Sequence, residues 1–138
     1  MQCHAGTDEL QAFLARTEIL VCLLPLTDST RGFLDARLFS MLPEGAGLVH
    51  VGRGPQLVDA DLLAALASGR IGDAVLDVTE PEPLPPTHAF WRHPNIQLTP
   101  HIASVTQPLS AAEVVLDKLR RFEDGEPMIG LVDRARGY

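Results

Sequence analysis

Six consecutive apolar residues, Ile19 to Leu24, run into a proline at position 25. The wider run, Ile19 to Leu26, has eight residues and contains Pro25, far short of the roughly 20 that a spanning helix needs. Pro25 cannot donate to a ladder, so the run reads as a strand that stops there, and its unbroken apolar character is that of a strand buried on both faces in a parallel sheet. What surrounds it keeps to the same plan. Thr7 reads as an N-cap, Asp8 and Glu9 suit the positive end of a helix, and Leu10, Phe13 and Leu14 recur at helical spacing, giving a short helix to about Arg16. Downstream, a helix near Asp35 to Met41 leads to a strand Gly47 to Val51. Asp59 then caps a helix carrying Leu62, Leu63 and Leu66 that Gly69 ends, and strands Asp73 to Val78 and Ile96 to Thr99 follow.

Between the last two strands lies Thr79 to Pro86, with prolines at 81, 83, 85 and 86, which supplies no ladder donors there and must be a loop. After Pro108 the pattern turns helical, with Val115, Leu119 and Phe122 on one face, an end near Gly125 and a Gly- and Arg-containing tail. Strands alternating with helices mean an α/β fold with a parallel sheet and right-handed crossovers. At 138 residues the chain is one domain or a piece of one. Its 11 Lys and Arg against 18 Asp and Glu give a charge of −7, which disfavours nucleic acid and anionic membrane surfaces as partners. No basic-then-apolar leader follows Met1, no transmembrane segment can be read, and Cys3 and Cys22 form no disulfide framework, so a cytoplasmic location is expected.

In a parallel α/β sheet, ligands bind outside the carboxyl ends of the strands. Three reactive residue types stand there: Arg53 between Gly52 and Gly54, the carboxylates Asp77, Glu80 and Glu82, and His101 after Pro100. Together they suit reduction of a 2-oxo acid. Arg53 can grip a carboxylate with two parallel bonds, His101 can protonate a ketone oxygen, and Glu82 beside His101 would favour the imidazolium and fix its orientation. Plainer readings compete, since an arginine after a strand is commonly a solvated charge and a lone histidine commonly caps a turn. His88, His93 and His101 lack the spacing of metal ligands, so no metal is expected, and His101 with Ser104 has no Gly-x-Ser-x-Gly elbow to support a hydrolase.

The segments Leu24-Pro25-Leu26-Thr27 to Thr30, His50-Val51-Gly52-Arg53-Gly54, Leu76-Asp77-Val78-Thr79-Glu80-Pro81-Glu82-Pro83-Leu84-Pro85 and Leu98-Thr99-Pro100-His101-Ile102-Ala103 resemble, in order and spacing, the D-isomer-specific 2-hydroxyacid dehydrogenases. Ala89-Phe90-Trp91-Arg92-His93-Pro94 and the closing Val132 to Tyr138 are similar to the branch that acts on glyoxylate and hydroxypyruvate. The resemblance implies an NAD- or NADP-dependent oxidoreductase that reduces a small 2-oxo acid, with Arg53 on the substrate carboxylate, His101 as acid and base, and Glu82 as its partner. It further implies that Leu24 and Pro25 line the nicotinamide side of the cofactor cleft, that Val51, Gly52 and Arg53 contact the cofactor, that Asp77 holds the nicotinamide amide, and that His101, Ala103 and Ser104 lie beside it. Thr79 stands where an aromatic residue is usual, and Gly52 where a small non-glycine residue is common.

The family's glycine-rich strand-turn-helix and most of its substrate domain have no counterpart in the chain. The implied fold is an incomplete Rossmann-type sheet with flanking helices. Residues 1–105 would form the second part of the dinucleotide-binding domain, and 106–138 a helix and tail returning to the substrate domain. Weak cofactor binding by the isolated chain follows from that reading. So does either a homodimer or a need for a separate N-terminal half, the alternative being a non-catalytic remnant or dimerising fragment.

Overall fold

The computed structural model describes residues 2–135, so Met1 and the last three residues of the closing motif, Arg136, Gly137 and Tyr138, lie outside the described residues. The chain forms two compact units, one up to Ala103 and one from Ser104. In the first, strands β1 (Ile19–Cys22), β2 (Ala46–His50), β3 (Ile71–Leu76) and β4 (Ile96–Leu98) make one sheet in the order β1-β2-β3-β4. Every neighbouring pair is parallel. Helices α1 (Leu10–Leu14), α2 (Ala36–Ser40) and α3 (Asp59–Ala67) accompany it. This is the expected α/β architecture, with all the carboxyl ends on one edge.

The register places Leu20 beside Leu48 and Ala74, and Cys22 beside His50 and Leu76, so these six share a face. Leu14 of α1, Leu38 and Phe39 of α2, and Leu62, Ala65 and Leu66 of α3 join that face in one buried cluster. Because the three helices pack on the same side, β1 is buried on one face only, and the expectation of burial on both does not hold. Ile19 and Val21, on the opposite side, are 65% and 49% exposed. The strand also ends at Cys22, two residues short of the expected end.

Two helix starts differ from the sequence reading. Thr7 to Glu9 form a turn, Glu9 occupies the cap position of α1, and its carboxylate accepts from the Ala5 N–H at 3.0 Å instead of capping the helix. At α3 the cap position is Val58, and Asp59 sits inside the first turn, where its carboxylate meets His88 Nε2 at 3.3 Å. Asp35 does cap α2, accepting from the Leu38 N–H at 2.8 Å, and Asp61 of α3 accepts from the Ala36 N–H at 2.8 Å, so both acceptors hold the start of α2. Gly69 closes α3 at φ +76°, a left-handed conformation that glycine adopts without strain.

The second unit holds α4 (Pro108–Glu123), with proline in its first turn and Arg120 and Arg121 in its last, an arrangement that suits the helix dipole. Val115, Leu119 and Phe122 are all more than half exposed. No helix among the described residues is long and apolar enough to cross a membrane.

Candidate functional site

Three strand-end turns, after β1, β2 and β3, meet at the carboxyl edge of the sheet, and two glycines let them do so. A Cβ on Gly54 would stand 2.0 Å from the Thr79 carbonyl oxygen, and one on Gly52 would stand 3.1 Å from the Leu24 carbonyl oxygen. Glycine at both positions brings the Arg53 turn against its neighbours on either side.

The loop after β3 and the turn after β4 are tied by side chains. Asp77, almost fully buried, accepts from the Thr99 hydroxyl at 2.5 Å and the Ile102 N–H at 2.8 Å on one oxygen, and from the Ala103 N–H at 2.9 Å on the other. Burial pushes this carboxyl up, but those three donors and the nearby His101 more than offset it and hold it below its ordinary value. The turn it holds carries His101, which takes φ +54°, the left-handed region that a non-glycine residue enters only when its surroundings enforce it. Its N–H donates to the Asp77 and Thr99 carbonyls at 2.9 and 3.0 Å.

His101 Nδ1 lies 3.0 Å from Glu82 Oε2, inside the roughly 2.6–3.2 Å of a working acid and base contact. The other Glu82 oxygen accepts from the Thr79 N–H at 3.1 Å, so both ends of the carboxylate are fixed. The hydrogen bond to His101 holds the Glu82 carboxyl below its ordinary value against the opposing effect of burial, helped by the Thr79 bond and by the charges of His101 and Arg53. With Nδ1 engaged, Nε2 is the ring nitrogen left for a substrate. Asp77, Thr79, Glu82, Leu84, Trp91 and His101 contribute to a cleft of about 400 Å³.

Arg53 is near but does not line that cleft. Its Nη1 donates to the Gly52 carbonyl at 2.7 Å, and the residue as a whole is exposed. Its charge reaches Glu82, so the expected trio gathers electrostatically, with only two of its members in the cleft. The reason is local: the Gly52 carbonyl is the acceptor one residue away. Leu24 and Pro25 line a separate apolar groove along β1, of about 740 Å³. Val51 and Gly52 lead into the Arg53 turn, while Ala103 is held by Asp77 and Ser104 opens the second unit.

Two further polar groups reach the Arg53 turn, and the sequence reading passed over both. His50 is fully buried, and its Nε2 lies 3.0 Å from the Arg53 carbonyl oxygen. Parity with Ala46 and Leu48 along β2 marks it as inward-facing. Gln56 is equally buried, and nothing local in the sequence distinguishes it from a solvated turn residue. Two other histidines serve as local caps, His88 Nδ1 accepting from the Phe90 N–H and His93 Nδ1 from the Asn95 N–H, at 3.3 and 3.2 Å, while His4 lies 3.4 Å from the Glu9 carboxylate. Cys22 is buried, which pushes its thiol up, and Cys3 is exposed.

Residues 2–103 match the family described as D-isomer specific 2-hydroxyacid dehydrogenase, NAD binding domain. The chain is 46% identical over 138 residues to the glyoxylate/hydroxypyruvate reductase A of Salmonella choleraesuis, covering all of this chain and 44% of that protein, so it spans less than half of the curated relative. A D-isomer specific 2-hydroxyacid dehydrogenase from Xanthobacter autotrophicus Py2, solved with NADPH and MES, superimposes with a TM-score of 0.93 at 46% identity, over 99% of this chain and 56% of that one. An NADPH-dependent glyoxylate/hydroxypyruvate reductase from Sinorhizobium meliloti, solved with NADP and sulfate, gives 0.89 at 42% identity, over 97% and 44%. The residues present fit the nicotinamide end of such a cofactor. Leu24 and Pro25 expose apolar surface at the end of β1. Asp77 receives three hydrogen bonds, and a carboxylate accepts about four, which leaves one position for a carboxamide N–H.

Proposed function

The chain belongs to the D-isomer-specific 2-hydroxyacid dehydrogenases, whose NAD-binding domain it matches, and from that premise we propose that it serves the NAD(P)H-dependent reduction of a small 2-oxo acid such as glyoxylate or hydroxypyruvate. The observation that carries this reading is the Glu82–His101 contact at 3.0 Å, at the carboxyl edge of a parallel sheet and next to the charge of Arg53. The bound dinucleotide supplies the hydride. Arg53 turns its guanidinium from the Gly52 carbonyl to the substrate carboxylate, which it holds by two parallel N–H bonds, and this sets which face of the ketone is presented. His101 gives the proton on Nε2 to the ketone oxygen as negative charge develops there, and takes it back in the reverse direction. Glu82, bonded to Nδ1, keeps the ring in place and leaves Nε2 to face the substrate. When bound, the cofactor would have Leu24 and Pro25 on its nicotinamide side, Val51, Gly52 and Arg53 in contact with it and Asp77 accepting from the carboxamide, with Ala103 and Ser104 beside it.

Relatives solved with NADPH and NADP make NADPH the cofactor to try first. The test supplies NADPH and glyoxylate to the purified chain, alone and with the N-terminal portion of the Salmonella glyoxylate/hydroxypyruvate reductase A added as a separate polypeptide. Loss of reduced-nicotinamide absorbance that disappears in a His101→Ala variant is expected in the second arrangement. No consumption in either overturns the reading.

A second reading rests on the exposed apolar residues Ile19, Val21 and Leu23, which favour cover by another polypeptide, either a second copy or a separate N-terminal half. On this view residues from 106 onward return to the substrate domain. Light scattering should give a dimer or a one-to-one complex, and a monomer that consumes NADPH unaided overturns it.

A further inference from the structure

Gln56 has no part in the chemistry above, yet it is fully buried and three of its hydrogen-bonding positions are filled. Its Nε2 donates to the carbonyls of Leu24 and Pro25, both at 3.1 Å, and its Oε1 accepts from the Arg53 N–H at 2.7 Å. One side chain thus joins the turn after β1 to the turn after β2. The Arg53 carbonyl is held separately by His50 Nε2 at 3.0 Å, so both peptide groups of Arg53 are pinned by buried side chains. Gly52 completes the arrangement, because a Cβ there would stand 2.2 Å from Gln56 Oε1. The amide could clear such a methyl only by leaving its partners.

We propose that Gln56 is a positioning residue and Gly52 its steric counterpart, the buried amide fixing the separation between the Leu24-Pro25 turn and Arg53. The ligands on either side, nicotinamide at one turn and substrate carboxylate at the other, rest on the functional reading above; the tie itself rests on geometry. The pairing also accounts for glycine at 52, since any larger residue there displaces the tie.

The experiment uses the 138-residue chain as wild type, Gln56→Met, Gly52→Ala and the double variant. NADPH is titrated by amide NMR, and hydrogen exchange is followed at the Arg53 N–H, both under conditions where each protein is folded. Gln56→Met removes the acceptor at Arg53, so exchange there should quicken about tenfold and the NADPH Kd should rise about tenfold. Gly52→Ala alone should do the same. The double variant should lose much less than the product of the two single losses, since the Oε1 that the new methyl strikes at 2.2 Å is gone and the closest fixed atom left to it is the Leu24 carbonyl oxygen at 3.1 Å. If Gln56→Met does not fold, Gln56→Asn, one methylene too short to reach all three partners, takes its place with the same expectation.

Unchanged Arg53 exchange overturns the tie, as does a double variant whose losses multiply. Faster exchange with an unmoved Kd reduces Gln56 to a structural role and overturns the positioning claim. Absence of any NADPH-dependent shift in the wild type counts against the functional reading, while non-additive exchange still decides the tie.

Discussion

Replacing Gly54 with alanine tests the strand-end arrangement through a single methyl group. The added Cβ would stand 2.0 Å from the Thr79 carbonyl oxygen and 2.2 Å from its carbonyl carbon, against an ordinary separation of about 3.5 Å. Neither atom is the tip of a flexible side chain, so the turn after β2 and the loop after β3 must part by about 1.5 Å. Such a shift of the loop carries the Glu82–His101 contact from 3.0 Å to beyond about 4 Å, outside hydrogen bonding. Overpacking costs about 1–3 kcal/mol, and the half-exposed ion pair adds no more than about 1 kcal/mol, for a total of about 1–4 kcal/mol. Urea unfolding followed by far-ultraviolet circular dichroism measures it. Gly45→Ala serves as the control, since that residue has φ +77° and open space around its Cβ position, leaving a conformational cost of about 1–2 kcal/mol. A carbon-13 titration of Glu82 gives an independent readout, because its carboxyl should return toward the ordinary 4.5 once His101 is lost. A Gly54→Ala variant within about 0.5 kcal/mol of wild type, or one in which Glu82 titrates unchanged, refutes the reasoning.

Other expectations follow from the same geometry. Burial lowers the His50 pKa in the folded chain below the 6.5 of the free side chain, against the opposing bond to the Arg53 carbonyl. As pH falls below 6.5 the unfolded chain therefore takes up a proton that the folded chain refuses, and stability is lost down to the folded pKa. A His50→Leu variant should lack this dependence in unfolding curves between pH 7 and 5, and an unchanged slope would remove His50 as its source. Asp77→Asn places an amide donor against one of the N–H groups the carboxylate now satisfies; a loss of about 1.5–3 kcal/mol is expected in the same unfolding assay, and a loss under about 0.5 would mean that the charge does not hold the His101 turn. With the N-terminal portion supplied, Arg53→Lys should lower kcat/KM for glyoxylate about a hundredfold, since a point charge cannot reproduce a planar grip. Unchanged efficiency would take Arg53 out of substrate binding.

What the sequence made legible follows periodicity and strand order. Alternating strands and helices require a parallel sheet, and that sheet brings residues as distant as Glu82 and His101 to one edge, where their contact is found. A uniformly apolar strand such as Ile19 to Cys22 carries no polar residue to mark its outer face, so its one-sided burial was invisible until the helices were placed. Arg53 could be assigned to the edge but not to a direction, because a long flexible side chain takes whichever acceptor is nearest, here the Gly52 carbonyl. Gln56 was hidden for a different reason. Its burial arises from two turns 30 positions apart closing over it, a tertiary event with no local signature.

Among the described residues, the buried polar side chains are His50, Gln56 and Asp77, and all three serve turns at the carboxyl edge, while the cluster beneath the helices is, apart from Cys22, aliphatic and aromatic. A saturation library of this chain should accordingly divide by depth along the strands. Under the helices, positions such as Leu38, Leu62 and Leu66 should accept methionine or isoleucine, since volume and apolarity are all they supply. At the edge, His50, Gly52, Gly54, Gln56 and Asp77 should each admit almost one residue type, because each answers a specific donor, acceptor or absent atom on another turn. Improved variants would then have to change edge residues in pairs, and single-step laboratory selection would find its gains on the helical side.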